Sequence, residues 1–162
     1  MASRSIAAQQ SAPRSLYTAE ERARRDASVW TTVQGILAPL QFGVFLVSLY
    51  FVVQYLVTGA DPFAADASVV VKTLTLYTIM VTGSIWEKVV YGKWLFAEPF
   101  WWEDLFSMLV IALHTAYLVM LFGDFGSVFD RMVVALAAYA SYAINATQFL
   151  LKLRAARLEA RA

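Results

Sequence analysis

The stretch FWWEDLFSMLVIALHTAYL, residues 100–118, decides the fold. It belongs to an apolar run long enough to cross a hydrocarbon core about 30 Å thick, which takes roughly 20 helical residues. Yet Glu103, Ser107, Val110 and His114 recur at i, i+4, i+7 and i+11, on one face of a helix. Glu and His are costly to leave in lipid unless they are paired or face a cavity. The stretch therefore reads as a membrane helix that turns a polar stripe towards other helices. Glu103 and His114 lie about 16 Å apart along its axis. Glu103 and Asp104 fall at one rim, and His114, the only histidine, falls near mid-membrane. Asp104 also has a simpler reading, as a first-turn acid favoured by the helix dipole.

Working outward, three more stretches are long and apolar enough to span. Sixty per cent of the 162 residues are hydrophobic and only 15% are charged, against about 25% in soluble domains. The expected fold is all-α: a polytopic membrane protein whose four transmembrane helices, at about 30–57, 68–86, 101–122 and 132–151, form a compact bundle. Short connections leave room for one domain, over residues 16–157, between a disordered arm (1–15) and a basic tail (158–162). The first 29 residues lack the apolar core of a signal peptide. Within them, Thr18 and Glu21 fit a capping box that starts a short interfacial helix.

Charge sets the orientation. Arg22, Arg24, Arg25, Lys88, Lys93, Lys152, Arg154 and Arg157 flank one side of the spans. Asp61, Asp66, Asp124 and Asp130, against Arg131 alone, flank the other. By the positive-inside rule both termini are expected to be cytoplasmic. All five Trp fall on that same rim. An interfacial aromatic belt accounts for them, and Trp94, Trp101 or Trp102 also suits a stacking wall for a flat ligand.

Each remaining span carries its own polar stripe. In the first, Gln34, Gln41 and Ser48 are seven apart, with Pro39 between them; the amides either glue helices together or line a pocket. The second carries Lys72, read as snorkelling to the outer interface, and Glu87 with Lys88 at its inner end. The fourth carries Ser141, Asn145, Gln148 and Lys152 at spacings of 4, 3 and 4. With antiparallel neighbours, most of these groups crowd into the cytoplasmic half, so a pocket opening inward or into the inner leaflet is expected.

Several chemistries are excluded. There is no Cys, hence no disulfide, thiolate site or Cys nucleophile. One His cannot supply a bis-His haem site, and the carboxylates lie too far from it for clustered zinc ligation. No phosphate-binding or dinucleotide motif occurs, and no nucleic-acid partner is expected, since topology accounts for the basic ends.

Specific strings go further. VVVKTLTLYTIMVTGSIWEKVVYGKWLFA (69–97), FWWEDLFSMLVIALHTAYL (100–118) and YASYAINATQFLLKLRAAR (139–157) resemble the 2-vinyl bacteriochlorophyllide hydratase family of phototrophic bacteria, the bacteriochlorophyll 3-vinyl hydratases. The likeness runs from about Leu16 to Arg157. It implies a multi-pass protein of the bacterial inner (cytoplasmic or intracytoplasmic) membrane. It also implies a hydro-lyase that adds water to the 3-vinyl group of a chlorophyllide-type tetrapyrrole, giving a 3-(1-hydroxyethyl) group on the route to bacteriochlorophyll. The partners are then the pigment, water and the bilayer, with a second copy of the chain or other pathway enzymes left open; no cofactor is expected.

The resemblance carries over no catalytic residues, so roles rest on chemistry and position. Protonating the terminal vinyl carbon puts positive charge beside the macrocycle, which delocalises it, and water then attacks. That requires an acid, a base and an apolar slot. Glu87, Glu103 and Asp104 are the candidate acids and water-positioning groups. His114 is a candidate base or ligand to the pigment's magnesium, and a hydrogen bond to a neighbouring helix is its plain alternative. Gln34, Gln41, Lys88, Trp101, Trp102, Asn145 and Gln148 are the candidate substrate contacts. A competing class is a non-enzymatic pigment-binding or assembly subunit, which would retain pigment without changing it. A transporter ranks last, because the outer half is largely apolar.

Overall fold

The computed structural model describes residues 15–159, all of its regular structure helical. Residues 1–14 of the arm expected over 1–15, and the last residues, 160–162, lie outside the described residues. A short helix, α1 (Ala19–Ala27), precedes four long ones: α2 (Val29–Thr58), α3 (Pro62–Tyr91), α4 (Trp101–Phe122) and α5 (Val128–Glu159), with a 3₁₀ turn, Glu98–Phe100, leading into α4. All four long helices are long and apolar enough to cross a membrane.

Local chemistry sets the boundaries. Thr18 and Glu21 form the expected capping box of α1: the Glu21 amide donates to Thr18 Oγ1 at 3.2 Å, and the Thr18 amide donates to Glu21 Oε2 at 2.7 Å. Gly59 (φ 70°) closes α2 and Gly92 (φ 81°) closes α3, both in the left-handed region that glycine enters without steric cost. Asp61 caps α3 ahead of Pro62, accepting from the Ala64 amide at 3.1 Å. α3 and α5 outrun the expected 68–86 and 132–151, because polar residues truncate the apolar windows while the backbone stays helical beyond them.

The long helices pack as two hairpins, α2 against α3 and α4 against α5, brought together mainly through α2·α5 and α3·α4 contacts. Between them lies a core that includes Phe45, Val52, Val69, Leu76, Val110 and Tyr117. Polarity is reversed relative to a soluble protein. Ile36, Leu46, Val47, Leu109, Val119 and Leu150 face outward, while Gln41, Ser48, Lys72, Ser107, His114 and Asn145 are buried. Lipid on the outside and hydrogen-bonding groups on the inside produce this pattern.

Lys72 corrects the sequence reading. It is fully buried, with Nζ 3.7 Å from the centroid of the Tyr142 ring. The reason is the helix start: α3 begins at Pro62, so Lys72 sits ten residues inside it, about 15 Å along the axis, too deep to snorkel outward.

Two polar clusters close the ends of the bundle. At one end Arg131 of α5 pairs with Asp66 of α3 at 3.0 Å, and the Tyr117 hydroxyl of α4 donates to the same carboxylate. At the other end α1 lies on the close of α3. There Arg24 Nε donates to the Val90 carbonyl at 2.8 Å, and the Tyr17 and Tyr91 rings stack 5.9 Å apart. That end carries most of the candidate residues.

Candidate active site

Two carboxyls from different helices converge beneath the loop that joins α3 to α4. Glu87 comes from the last turn of α3 and Asp104 from the first turn of α4, and both are buried. Both accept from consecutive amides of that loop. The loop backbone completes the arrangement. The Phe96 amide donates to Asp104 Oδ2 at 2.7 Å, and the Ala97 amide donates to Glu87 Oε2 at 3.2 Å. Phe96 adopts φ 57°, which an aromatic residue rarely takes and which costs of order 1–3 kcal/mol. The strained turn presents successive amides to the two acids.

Beside this pair Glu103 meets Lys152 of α5 at 2.6 Å, and the same ammonium donates to the Pro99 carbonyl. Further into the bundle, Ser107 Oγ donates to the Glu103 carbonyl at 2.9 Å and accepts from Asn145 Nδ2 at 2.8 Å. Lys152 also lines a cleft of about 360 Å³ with Ser15, Leu16, Glu98, Pro99 and Ala155. A cation, two hydrogen-bonded acids and an ion-paired acid thus occupy one end of the bundle. Chemically, one carboxyl of such a pair can give a proton while its neighbour takes one.

The other candidates distribute as follows. Asn145 joins the cluster through Ser107, and Gln148 lies between Asn145 and Lys152 on α5. Gln34 donates to Thr82 Oγ1 at 2.7 Å and ties α2 to α3. Lys88 is exposed and donates to the Gly92 carbonyl at 2.8 Å, capping its own helix. Trp101 and Trp102 stand on the exterior, edge to face at 5.0 Å. Gln41 and His114 are deep in the bundle. His114 lies ten residues beyond Asp104, about 15 Å along α4, with Nδ1 on the Val110 carbonyl at 2.8 Å and its ring 5.8 Å from that of Tyr139.

Sequence reasoning placed Lys152 on the polar stripe of α5 without pairing it to Glu103. Position alone carried a signal there, since opposite charges fell at the same rim of two spans. The amides of Phe96 and Ala97 left none.

Fold and site together define a multi-pass membrane protein with acid–base groups buried at one end of a four-helix bundle. The chain belongs to the 2-vinyl bacteriochlorophyllide hydratase family, whose model matches residues 17–155. It is 64% identical to the 2-vinyl bacteriochlorophyllide hydratase of Cereibacter sphaeroides over 147 residues, 90% of this chain and 91% of the relative. It is also 64% identical to the enzyme of that name from Rhodobacter capsulatus over 148 residues, 91% of this chain and 85% of the relative. No solved structure matches the chain.

Proposed function

We propose that this chain is a hydro-lyase that adds water to the 3-vinyl group of a bacteriochlorophyllide-type tetrapyrrole, with Glu87 and Asp104 as its acid–base pair. The observation that carries the assignment of roles is the convergence of these two buried carboxyls under the Phe96 and Ala97 amides. One carboxyl protonates the terminal vinyl carbon, and the resulting cation, next to the ring, is delocalised by the macrocycle. Water attacks the carbon bonded to the ring, and the carboxylate left behind or its partner takes the proton the water loses. The product is the 3-(1-hydroxyethyl) pigment, and the pair is restored with one proton between its members.

Glu103 and Lys152 flank this step. Lys152 reaches both Glu103 and the Pro99–Ala155 cleft, where a pigment propionate would find its counter-charge. Asn145, with Gln148 beside it, extends the hydrogen-bonding surface on which water is positioned. His114 stands about 15 Å along α4 from Asp104, and its Nδ1 is engaged by the Val110 carbonyl. The step at the pair is proposed without His114. Residues 16–157 act as one four-helix domain, with the Glu87–Asp104 end cytoplasmic by the positive-inside rule, in the cytoplasmic or intracytoplasmic membrane of a phototrophic bacterium.

The test is incubation of the solubilised protein with 3-vinyl chlorophyllide, following product mass and the red absorption band. Gain of one water with a blue shift is expected. Pigment that stays bound and unchanged in mass would sink the reading and favour a pigment-binding subunit.

A further inference from the structure

The buried polar groups that this mechanism leaves unused form a pattern of their own. Six buried side-chain atoms among the described residues have no hydrogen-bond partner within the protein: Gln41 Nε2 and Oε1, Lys72 Nζ, His114 Nε2, Asn145 Oδ1 and Gln148 Oε1. Native interiors seldom leave such atoms unmet. Gln41, Lys72 and His114 are at most 1% exposed and come from three different helices.

These three share one neighbourhood. Lys72 lies over Tyr142 at 3.7 Å, and the His114 ring is 5.8 Å from that of Tyr139. Phe45, one turn along α2 from Gln41, contacts both tyrosine rings, at 5.5 and 4.9 Å. Tyr139 and Tyr142 are one turn apart on α5, so Lys72 and His114 flank the same stretch of that helix.

The kinds of unmet group select the ligand. Lys72 offers only donors. His114 Nδ1 donates to the Val110 carbonyl, so in the neutral ring Nε2 is a bare acceptor. Gln41 offers both. An anion would leave His114 Nε2 and Gln41 Oε1 unmet, a cation would face the ammonium, and an apolar ligand would satisfy none. Water gives and accepts, and buried waters typically make about three such bonds.

We propose that Gln41, Lys72 and His114 hold bound water in the middle of the bundle. Asn145 and Gln148, whose free oxygens lie on α5 between that centre and Lys152, continue the hydrated path towards Glu87 and Asp104. The second half rests on the hydratase reading, in which water is the molecule consumed.

His114 is the only histidine, so its imidazole signals are single and need no assignment. In the full chain, without pigment, magnetisation transfer from water to the His114 ring protons is expected. Lys72→Met and Gln41→Leu should each remove it, the second variant serving if the first does not fold. Absence of transfer in the folded unsubstituted protein, or undiminished transfer in the folded variants, would overturn the site. Asn145→Leu should slow turnover roughly tenfold without weakening pigment binding, and unchanged turnover would overturn the supply role. No turnover in the unsubstituted protein would count against the hydratase reading alone, because the His114 measurement uses no pigment.

Discussion

Glu103 and Lys152 form a 2.6 Å ion pair between α4 and α5 in which the acid is 8% exposed and the lysine 27%. The asymmetry predicts an asymmetric response. Lys152→Met leaves a nearly buried carboxylate without its cation and should cost roughly 1–3 kcal/mol, less than for a fully buried pair because the lysine is partly wet. The double variant with Glu103→Gln should recover much of that loss. A thermal-melt double-mutant cycle with no coupling between the two sites would refute it.

Glu87→Gln and Asp104→Asn preserve shape and the capacity to accept the Ala97 and Phe96 amides. Each should lower turnover by about 10²–10⁴-fold, the usual worth of a positioned acid or base, with little change in melting temperature. Because the carboxyls act as a unit, the double variant should be barely slower than the worse single variant. Multiplying losses would mean that they act separately.

At the opposite end, Asp66, Arg131 and Tyr117 tie three helices together. Arg131→Met should destabilise the bundle by roughly 2–4 kcal/mol, and Tyr117→Phe by about 1 kcal/mol. Neither should alter the rate constant of the folded protein. A fall in that constant greater than the fall in melting temperature explains would bring this end into catalysis.

The chain contains no Cys, so single-cysteine variants report topology without background. A thiol at Lys93 should react with a membrane-impermeant reagent only from the cytoplasmic side, and one at Asp124 only from the other. The reverse pattern would invert the assigned orientation.

The positions of the spans were legible because lipid demands long apolar runs, and the stripe of Glu103, Ser107 and His114 was legible because helical periodicity fixes a face. Lys72 was misplaced because depth depends on where a helix begins, and α3 begins at the Asp61–Pro62 cap rather than at the edge of its apolar window. Recognising that aspartate–proline start would have moved Lys72 to mid-bundle. Pairing Glu87 with Asp104 lay beyond reach, since it depends on how two helices rotate about their own axes. The left-handed turn at Phe96 was equally hidden, because nothing in an aromatic side chain announces it.

That turn gives the pair its partners from main chain rather than side chains. What the stretch from Lys93 to Ala97 must conserve is its count of residues, not their identity. Point changes there other than to proline would leave both amide contacts standing, whereas inserting or deleting one residue would slide the amides out of register with both acids at once.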